Sequence, residues 1–138
     1  MKRLDKDNSV RPTPESRAYL DVLKKKGVFR RSIDAYTFAA AYAILKEIDP
    51  KEIPSRGRQD LVENLRLVDD DVLLALEAGI FATYKRKGMP EPNDSKELLE
   101  ILTQYAEAGL KVLQEQWEDK TSSQIRDHVS KIIQSSLL

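Results

Sequence analysis

The chain lacks cysteine altogether and has a single histidine among its 138 residues. The absence of cysteine excludes disulfide bonds, thiolate zinc sites and cysteine nucleophiles, and it suits a reducing, cytoplasmic location. The sequence shows neither a plausible pair of catalytic carboxylates nor a nucleophile with a neighbouring base. We therefore expect a protein that is not an enzyme, with no catalytic residues, no metal site and no cofactor.

Long hydrophobic runs are also missing. No stretch of 18 or more apolar residues occurs, and the first residues lack the apolar core of a signal peptide. We therefore expect no membrane association. The remaining composition, 41% hydrophobic and 33% charged, suits one domain that buries enough surface to fold without covalent staples.

Net charge is zero, yet the charges are unevenly distributed along the chain. Residues 1–31 contain ten Lys/Arg against four Asp/Glu, whereas residues 69–138 contain eight against thirteen. A basic segment favours contact with nucleic-acid phosphates, because such contacts release counterions. The alternative is that the basic and acidic ends attract each other or are simply solvated.

Helical periodicity and helix-breaking residues predict an all-α fold, a compact bundle of four to five helices. The first helix should begin after Thr13 and end before Gly27, and the last should begin near Ser122. The third should follow Asp69, whose neighbouring acids suit a helix start better than a cation site. The fourth and longest should begin at Ser95.

A second helix near residues 33–48 should be the buried, central one, because its residues 35–45 are uncharged. Its alanines should permit close helix crossings, and we expect Phe38 and Leu76 in the core. Residues 59–68 could form a short helix or an extended segment. Residues 1–12 are expected to be a flexible tail on a single domain spanning 1–138.

The most informative stretch is the turn between the first two helices, where five cations surround the start of an apolar helix. Phosphate oxygens could meet both cationic side chains and free N–H groups at such a helix start. We expect contacts to the DNA backbone rather than to base edges. The predicted nucleic-acid-binding residues are Arg17, Lys24, Lys25, Lys26, Arg30, Arg31, Ser32, Arg56 and Arg58.

Three segments carry a family resemblance: Gly27-Val28-Phe29, the run from Asp34 to Ala41, and the run from Tyr105 to Leu113. In this order they resemble the Dnd system-associated protein 4 family, whose bacterial members are encoded beside DNA phosphorothioation genes. The resemblance implies an accessory role in a modification or restriction system that acts against foreign DNA, including phage. It brings no catalytic residues.

A second resemblance concerns the N-terminal half, which is similar to ribbon-helix-helix repressors: a short segment, a helix, a turn and a second helix. It implies a small transcriptional regulator. The prolines at positions 12 and 14 weaken the required strand, because proline has no N–H to donate to a ladder.

The longest predicted helix has an apolar band that looks broader than one neighbouring helix requires, which favours self-association. We expect a homodimer, the commonest symmetric oligomer, with interface residues Leu98, Leu102, Tyr105, Leu113 and Trp117. The alternative to a DNA-contacting accessory protein is a helical adaptor that binds only other proteins. His128 is expected to be an ordinary polar residue.

Overall fold

A computed structural model describes residues 3–136 of the chain, and over this range the fold is all-α without a strand. The five helices are α1 (Pro14–Lys25), α2 (Ser32–Leu45), α3 (Asp70–Arg86), α4 (Ser95–Trp117) and α5 (Ser122–Ser136). The predicted fold class is confirmed. None of these helices is both long and apolar enough to cross a membrane.

The helix starts follow from local capping residues. Thr13 caps α1, with its Oγ1 accepting a hydrogen bond from the Ser16 N–H at 3.2 Å. Asp94 caps α4 in the same way through the Glu97 N–H at 2.8 Å. Thr121 and Gln124 exchange reciprocal hydrogen bonds and form a capping box at α5. Asp69 precedes α3 as expected, although its side chain makes no capping bond.

The core centres on the crossing of α2 and α4, which make more contact with each other than any other pair of helices. Small side chains allow this crossing: Ala39 and Ala43 of α2 face Gly109 of α4, and a Cβ at position 109 would lie only 2.0 Å from the Ala39 carbonyl oxygen. The prediction that the alanines of the second helix permit a close crossing is confirmed.

Two expectations for α2 and its neighbours need correction. Leu76 is buried as predicted, but Phe38 is only partly buried and packs against Phe29 with the two rings tilted, their centroids 5.4 Å apart. Ala41 and Leu45 are exposed. The central helix is therefore open to solvent along one edge, because no helix in the described part of the chain covers it there.

The expected flexible tail is wrong for residues 3–12. Leu4 and Val10 are buried, and the segment is fastened to α3 by Glu77, which is 1% exposed. One Glu77 oxygen accepts from the Leu4 N–H at 2.9 Å, and the other accepts from the guanidinium of Arg3. A buried carboxylate requires such donors, and the N-terminal segment supplies them.

Residues 59–68 form neither a regular helix nor a strand. Leu65–Leu67 is one turn of 3-10 helix, and the flanking chain lies beside the N-terminal segment. The Leu61 N–H donates to the Val10 carbonyl at 3.0 Å, and the Leu65 N–H donates to the Asn8 carbonyl at 3.3 Å. Leu61 and Leu65 are thereby buried, which accounts for the ambiguous apolar pattern of this segment.

The predicted homodimer interface is wrong, because its five residues do not lie on the surface of the folded chain. The five residues are each at most 3% exposed inside a single chain. The broad apolar band of α4 is buried because α4 packs against α1, α2 and α3 together. The residues concerned are Leu98, Leu102, Tyr105, Leu113 and Trp117.

Candidate nucleic-acid interface

The turn that joins α1 to α2 is rigidly anchored. Gly27 ends α1 with φ of +72°, a left-handed conformation that favours glycine. The next N–H, from Val28, donates to the Leu23 carbonyl at 3.1 Å. Val28 and Phe29 then pack against the core. The cations on both sides of the turn are thereby held on a fixed backbone.

Four of the predicted cations are exposed at this turn, and a fifth joins them from α5. Arg126 Nη1 lies 3.9 Å from the place that a Cβ on Gly27 would occupy. Within residues 3–136 no ion pair or hydrogen bond involves the charged groups of these five side chains. We call this set the basic turn surface: Lys24, Lys25, Lys26, Arg30 and Arg126.

Sequence reasoning missed Arg126, which lies about 100 residues from the turn. The sequence around Arg126 indicates only that a charged residue follows Ile125 in the last helix. In the structure Ile125 is buried and Arg126 is exposed. Helical geometry places such a residue at the edge of a buried face. Its nearness to Gly27 depends on how α5 packs, which no local pattern specifies.

Two of the predicted binding residues are committed to the protein itself. Arg17 donates to the carbonyls of Gln59 and Asp60 at 2.5 and 2.7 Å. Arg58 forms a bidentate pair with Glu100 at 3.0 and 3.1 Å, and its side chain is 9% exposed. These guanidiniums fix the loop around residues 58–60, so we remove them from the candidate interface.

The start of α2 is already capped by a carboxylate. The Ser32 N–H donates to Glu63 Oε1 at 3.0 Å, and Ser32 is 6% exposed. Arg31, the residue before α2, donates to the Leu67 carbonyl at 3.1 Å. The expected phosphate site at this helix start is therefore filled by Glu63, because a negative group stabilises that end of the helix.

Arg56 is exposed but lies away from the turn. Its neighbour Gly57 approaches Pro14, at the beginning of α1, since a Cβ on Gly57 would lie 3.3 Å from the Pro14 ring. The basic turn surface is at the other end of α1, about 16 Å away at 1.5 Å per residue. Arg56 thus cannot share a single phosphate with Lys24 or Lys25.

A buried carboxylate, Glu107, joins three parts of the chain beside the groove between α1 and α4, which has a volume of about 450 Å³. It is 4% exposed and accepts from Thr13 N–H, Thr13 Oγ1, Ser16 Oγ and Tyr36 OH, at 2.7–3.2 Å. Burial, then the charge of Glu107, raises the pKa of Tyr36 well above its ordinary value, so this hydroxyl remains a donor. Four donors suit a structural junction rather than a free base.

The remaining polar candidates are accounted for by local contacts. The indole N–H of Trp117 donates to His128 Nδ1 at 2.8 Å, which joins α4 to α5. Asp70 pairs with Lys6, whose hydrogen bond and charge lower the pKa of the carboxyl. Across the described residues no group of three or more His, Asp or Glu side chains is arranged to hold a metal ion.

Comparison with known proteins adds no assignment: the chain matches no protein-family model, no curated protein and no solved structure. The functional conclusion must accordingly come from the residues and their geometry.

Proposed function

We propose that the protein is a non-enzymatic accessory protein that binds the DNA backbone through the basic turn surface. The observation that carries this proposal is a cluster of five exposed cations that form no ion pair within residues 3–136, four of them beside the anchored turn and the fifth, Arg126, next to it on α5. Cations that form no internal ion pair can contact phosphates without first losing such a pair. Each one that neutralises a phosphate also releases condensed counterions, which favours binding.

The contacts should be made by side chains and should read no sequence. Glu63 already takes the Ser32 N–H at the start of α2. The segment before α1 forms no strand, so the paired ribbon of a ribbon-helix-helix protein is missing in the described chain. Contacts to phosphates position a protein on DNA but do not discriminate bases.

We further propose a role in the cytoplasm beside a DNA phosphorothioation system, on the strength of the three segments that resemble the Dnd system-associated protein 4 family. Gly27 to Phe29 forms the anchored turn, and the run from Asp34 to Ala41 lies in α2. The run from Tyr105 to Leu113 lies in α4. The segments are thus the turn that carries the cations and the two helices whose crossing supports it.

Fluorescence anisotropy of a labelled duplex, measured across a salt series, tests the DNA proposal. Three or four phosphate contacts predict a log–log slope of affinity against salt near −3, at about −0.9 per contact. Substituting three of the five cations, in the variant Lys24→Ala/Lys25→Ala/Arg30→Ala, should flatten the slope to about −1 without reducing helicity.

The matched control removes the same charge elsewhere, in the variant Lys46→Ala/Lys85→Ala/Lys96→Ala, whose cations are exposed and form no ion pair within residues 3–136. This control should bind like the wild type. Equal slopes for the two variants would show that net charge alone attracts DNA. No binding near 20 mM salt at tens of micromolar protein would end the DNA proposal.

One observation favours the alternative function of a protein-binding adaptor. The open edge of α2 faces α3 and α5 across an apolar groove of about 530 Å³. Its walls include the exposed side chains of Leu45 and Val72, which are 46% and 42% exposed. The expected homodimer stays a prediction, and this groove is the apolar surface that such a dimer would use, since the α4 band is buried.

A further inference from the structure

The outer face of α3 carries no exposed charge over most of its length. Between Asp71 and Lys85 the helix contains one charged residue, Glu77, whose side chain is 1% exposed. A surface helix ordinarily presents charged or polar side chains to solvent, so this face is unusual for a monomer. The exposed positions between Asp71 and Lys85 are all apolar: Val72, Leu74, Ala75, Ala78 and Ala82.

This face of α3 is continuous with the groove of about 530 Å³, because Val72 and Ala75 also line the groove. Val72 and Leu74 are 42% and 45% exposed, and Leu45 adds a third large apolar side chain from α2. Removing such a surface from water is favourable in proportion to its apolar area. We call it the apolar α3 surface: Leu45, Val72, Leu74, Ala75, Ala78 and Ala82.

The two ends of the apolar α3 surface carry opposite charges. Asp71 lies at the start of α3 and Lys85 near its end. Both are exposed, and neither forms an ion pair within residues 3–136. They are separated by about 21 Å along the helix axis and by about 40° around it, so both lie on the outer face. The face is therefore acidic at one end, apolar in the middle and basic at the other end.

A second copy of the chain matches this pattern when the two α3 helices run antiparallel. A twofold axis beside Ala78 places Asp71 against the partner's Lys85, because positions 71 and 85 are equally far from position 78. The same register places Leu74 against the partner's Ala82, where alanine leaves space for the leucine side chain. Symmetry forms each of these contacts twice, so the charges at both ends are paired at once.

We propose that the protein forms a twofold symmetric homodimer through the apolar α3 surface, with antiparallel α3 helices and Asp71 paired to the partner's Lys85. The α3 face alone measures about 21 Å by 10 Å, which is well below the area of about 800 Å² per partner in a standard interface. The walls of the groove must therefore contribute, and the dimer should be weak, with a Kd of about 10–200 µM. The proposal does not rest on DNA binding.

Sedimentation equilibrium of the full chain without DNA, from about 5 to 1000 µM, measures the dimer. We expect a concentration-dependent change from monomer to dimer and no larger species, because a twofold contact is closed. Leu74→Ala should weaken the dimer about tenfold, since it removes apolar area from the contact. The control is Val22→Ala on α1, at a position with a similar exposure of 41%, which should dimerise like the wild type.

Charge reversal tests the antiparallel register. Asp71→Lys and Lys85→Asp each replace two attractive pairs with two repulsive ones, and each should weaken self-association at least tenfold without reducing helicity. An equal mixture of the two variants should dimerise about as tightly as the wild type, because each new charge then faces an opposite charge on the other chain. NMR of labelled Asp71→Lys should show the Ala78 amide shifting when unlabelled Lys85→Asp is added.

A chain that stays monomeric up to about 1000 µM would overturn the proposal. Wild-type dimerisation by Leu74→Ala would place the contact on another surface. Wild-type dimerisation by both charge-reversed variants, or a mixture of them that stays monomeric, would refute the antiparallel pairing. The control variant of the DNA titration also lacks Lys85, so DNA binding and dimerisation can fail separately.

Discussion

The close crossing of α2 and α4 makes Gly109→Ala the most discriminating substitution for the fold. A Cβ at position 109 would lie 2.0 Å from the Ala39 carbonyl oxygen and 2.9 Å from its carbonyl carbon. These are backbone atoms, so no side chain can turn away. The two helices would have to separate by more than 1 Å, which would also loosen the neighbouring contacts of Ala43 and Ala106.

The magnitude follows from two opposing effects. Alanine is favoured over glycine inside a helix by about 1 kcal/mol. Overpacking costs about 1–3 kcal/mol when side chains can adjust, and a clash with backbone belongs at or beyond the upper end. We expect Gly109→Ala to lower the free energy of unfolding by about 2 kcal/mol, or the melting temperature by about 6–10 °C for a chain of this size.

Urea denaturation followed by circular dichroism measures this change, and Gly79→Ala is the matched control. A Cβ at position 79 in α3 would meet only the Ile44 side chain, at 3.0 Å. That methyl group can move, so the helix-propensity gain should offset the contact and leave stability within about 1 kcal/mol of the wild type. Equal stability of Gly109→Ala and Gly79→Ala would show that the α2–α4 crossing has room for a methyl group at position 109.

Two further predictions concern buried polar groups. Glu107→Gln replaces a carboxylate that accepts four hydrogen bonds with an amide whose NH2 group faces some of the same donors. It should lower the free energy of unfolding, measured by urea denaturation, by about 3 kcal/mol. Glu115→Gln, at an exposed position of the same helix, is the control and should change it by almost nothing. Burial raises the pKa of Tyr19 to about 12 from its ordinary 10.0. The raised pKa means that the folded protein favours the protonated hydroxyl more than the unfolded chain does. This preference stabilises the fold below about pH 10, and the stabilisation is lost as the pH rises from 10 through 12. Denaturation at pH 9.5 and 11.5 should show this loss, with a smaller one in Tyr19→Phe; identical stability at both pH values would contradict the burial of the hydroxyl.

Local signals predicted the helices well because each one is encoded by neighbouring residues. Thr13 and Pro14 start α1 and Gly27 ends it, and the uncharged run of α2 indicates its burial. The errors have a common cause. Leu4 depends on Glu77, 73 residues away, and Arg58 depends on Glu100, 42 residues away. A charged residue in a loop has the same local pattern whether it meets solvent or a distant carboxylate.

The candidate DNA surface was predicted only in part for the same reason. The lysines at the end of α1 could be identified because a helix end followed by glycine leaves such side chains in solvent. Ser32 could not be judged without knowing that Glu63 reaches the start of α2. The buried hydroxyl of Tyr105, which has no hydrogen-bond partner within residues 3–136, also gave no sequence signal, because Tyr105 belongs to the apolar pattern of α4.

The Glu107 junction can form only late in the synthesis of the chain. Thr13 and Ser16 leave the ribosome long before their partner, since 94 residues separate Thr13 from Glu107. At about 5–20 residues per second, that interval lasts about 5 to 20 s. During it, the start of α1 lacks the carboxylate that will hold it, and Lys24, Lys25, Lys26 and Arg30 emerge before the helices that complete the bundle. The cations around that turn are thus exposed to any nearby polyanion before the bundle that will carry them has closed.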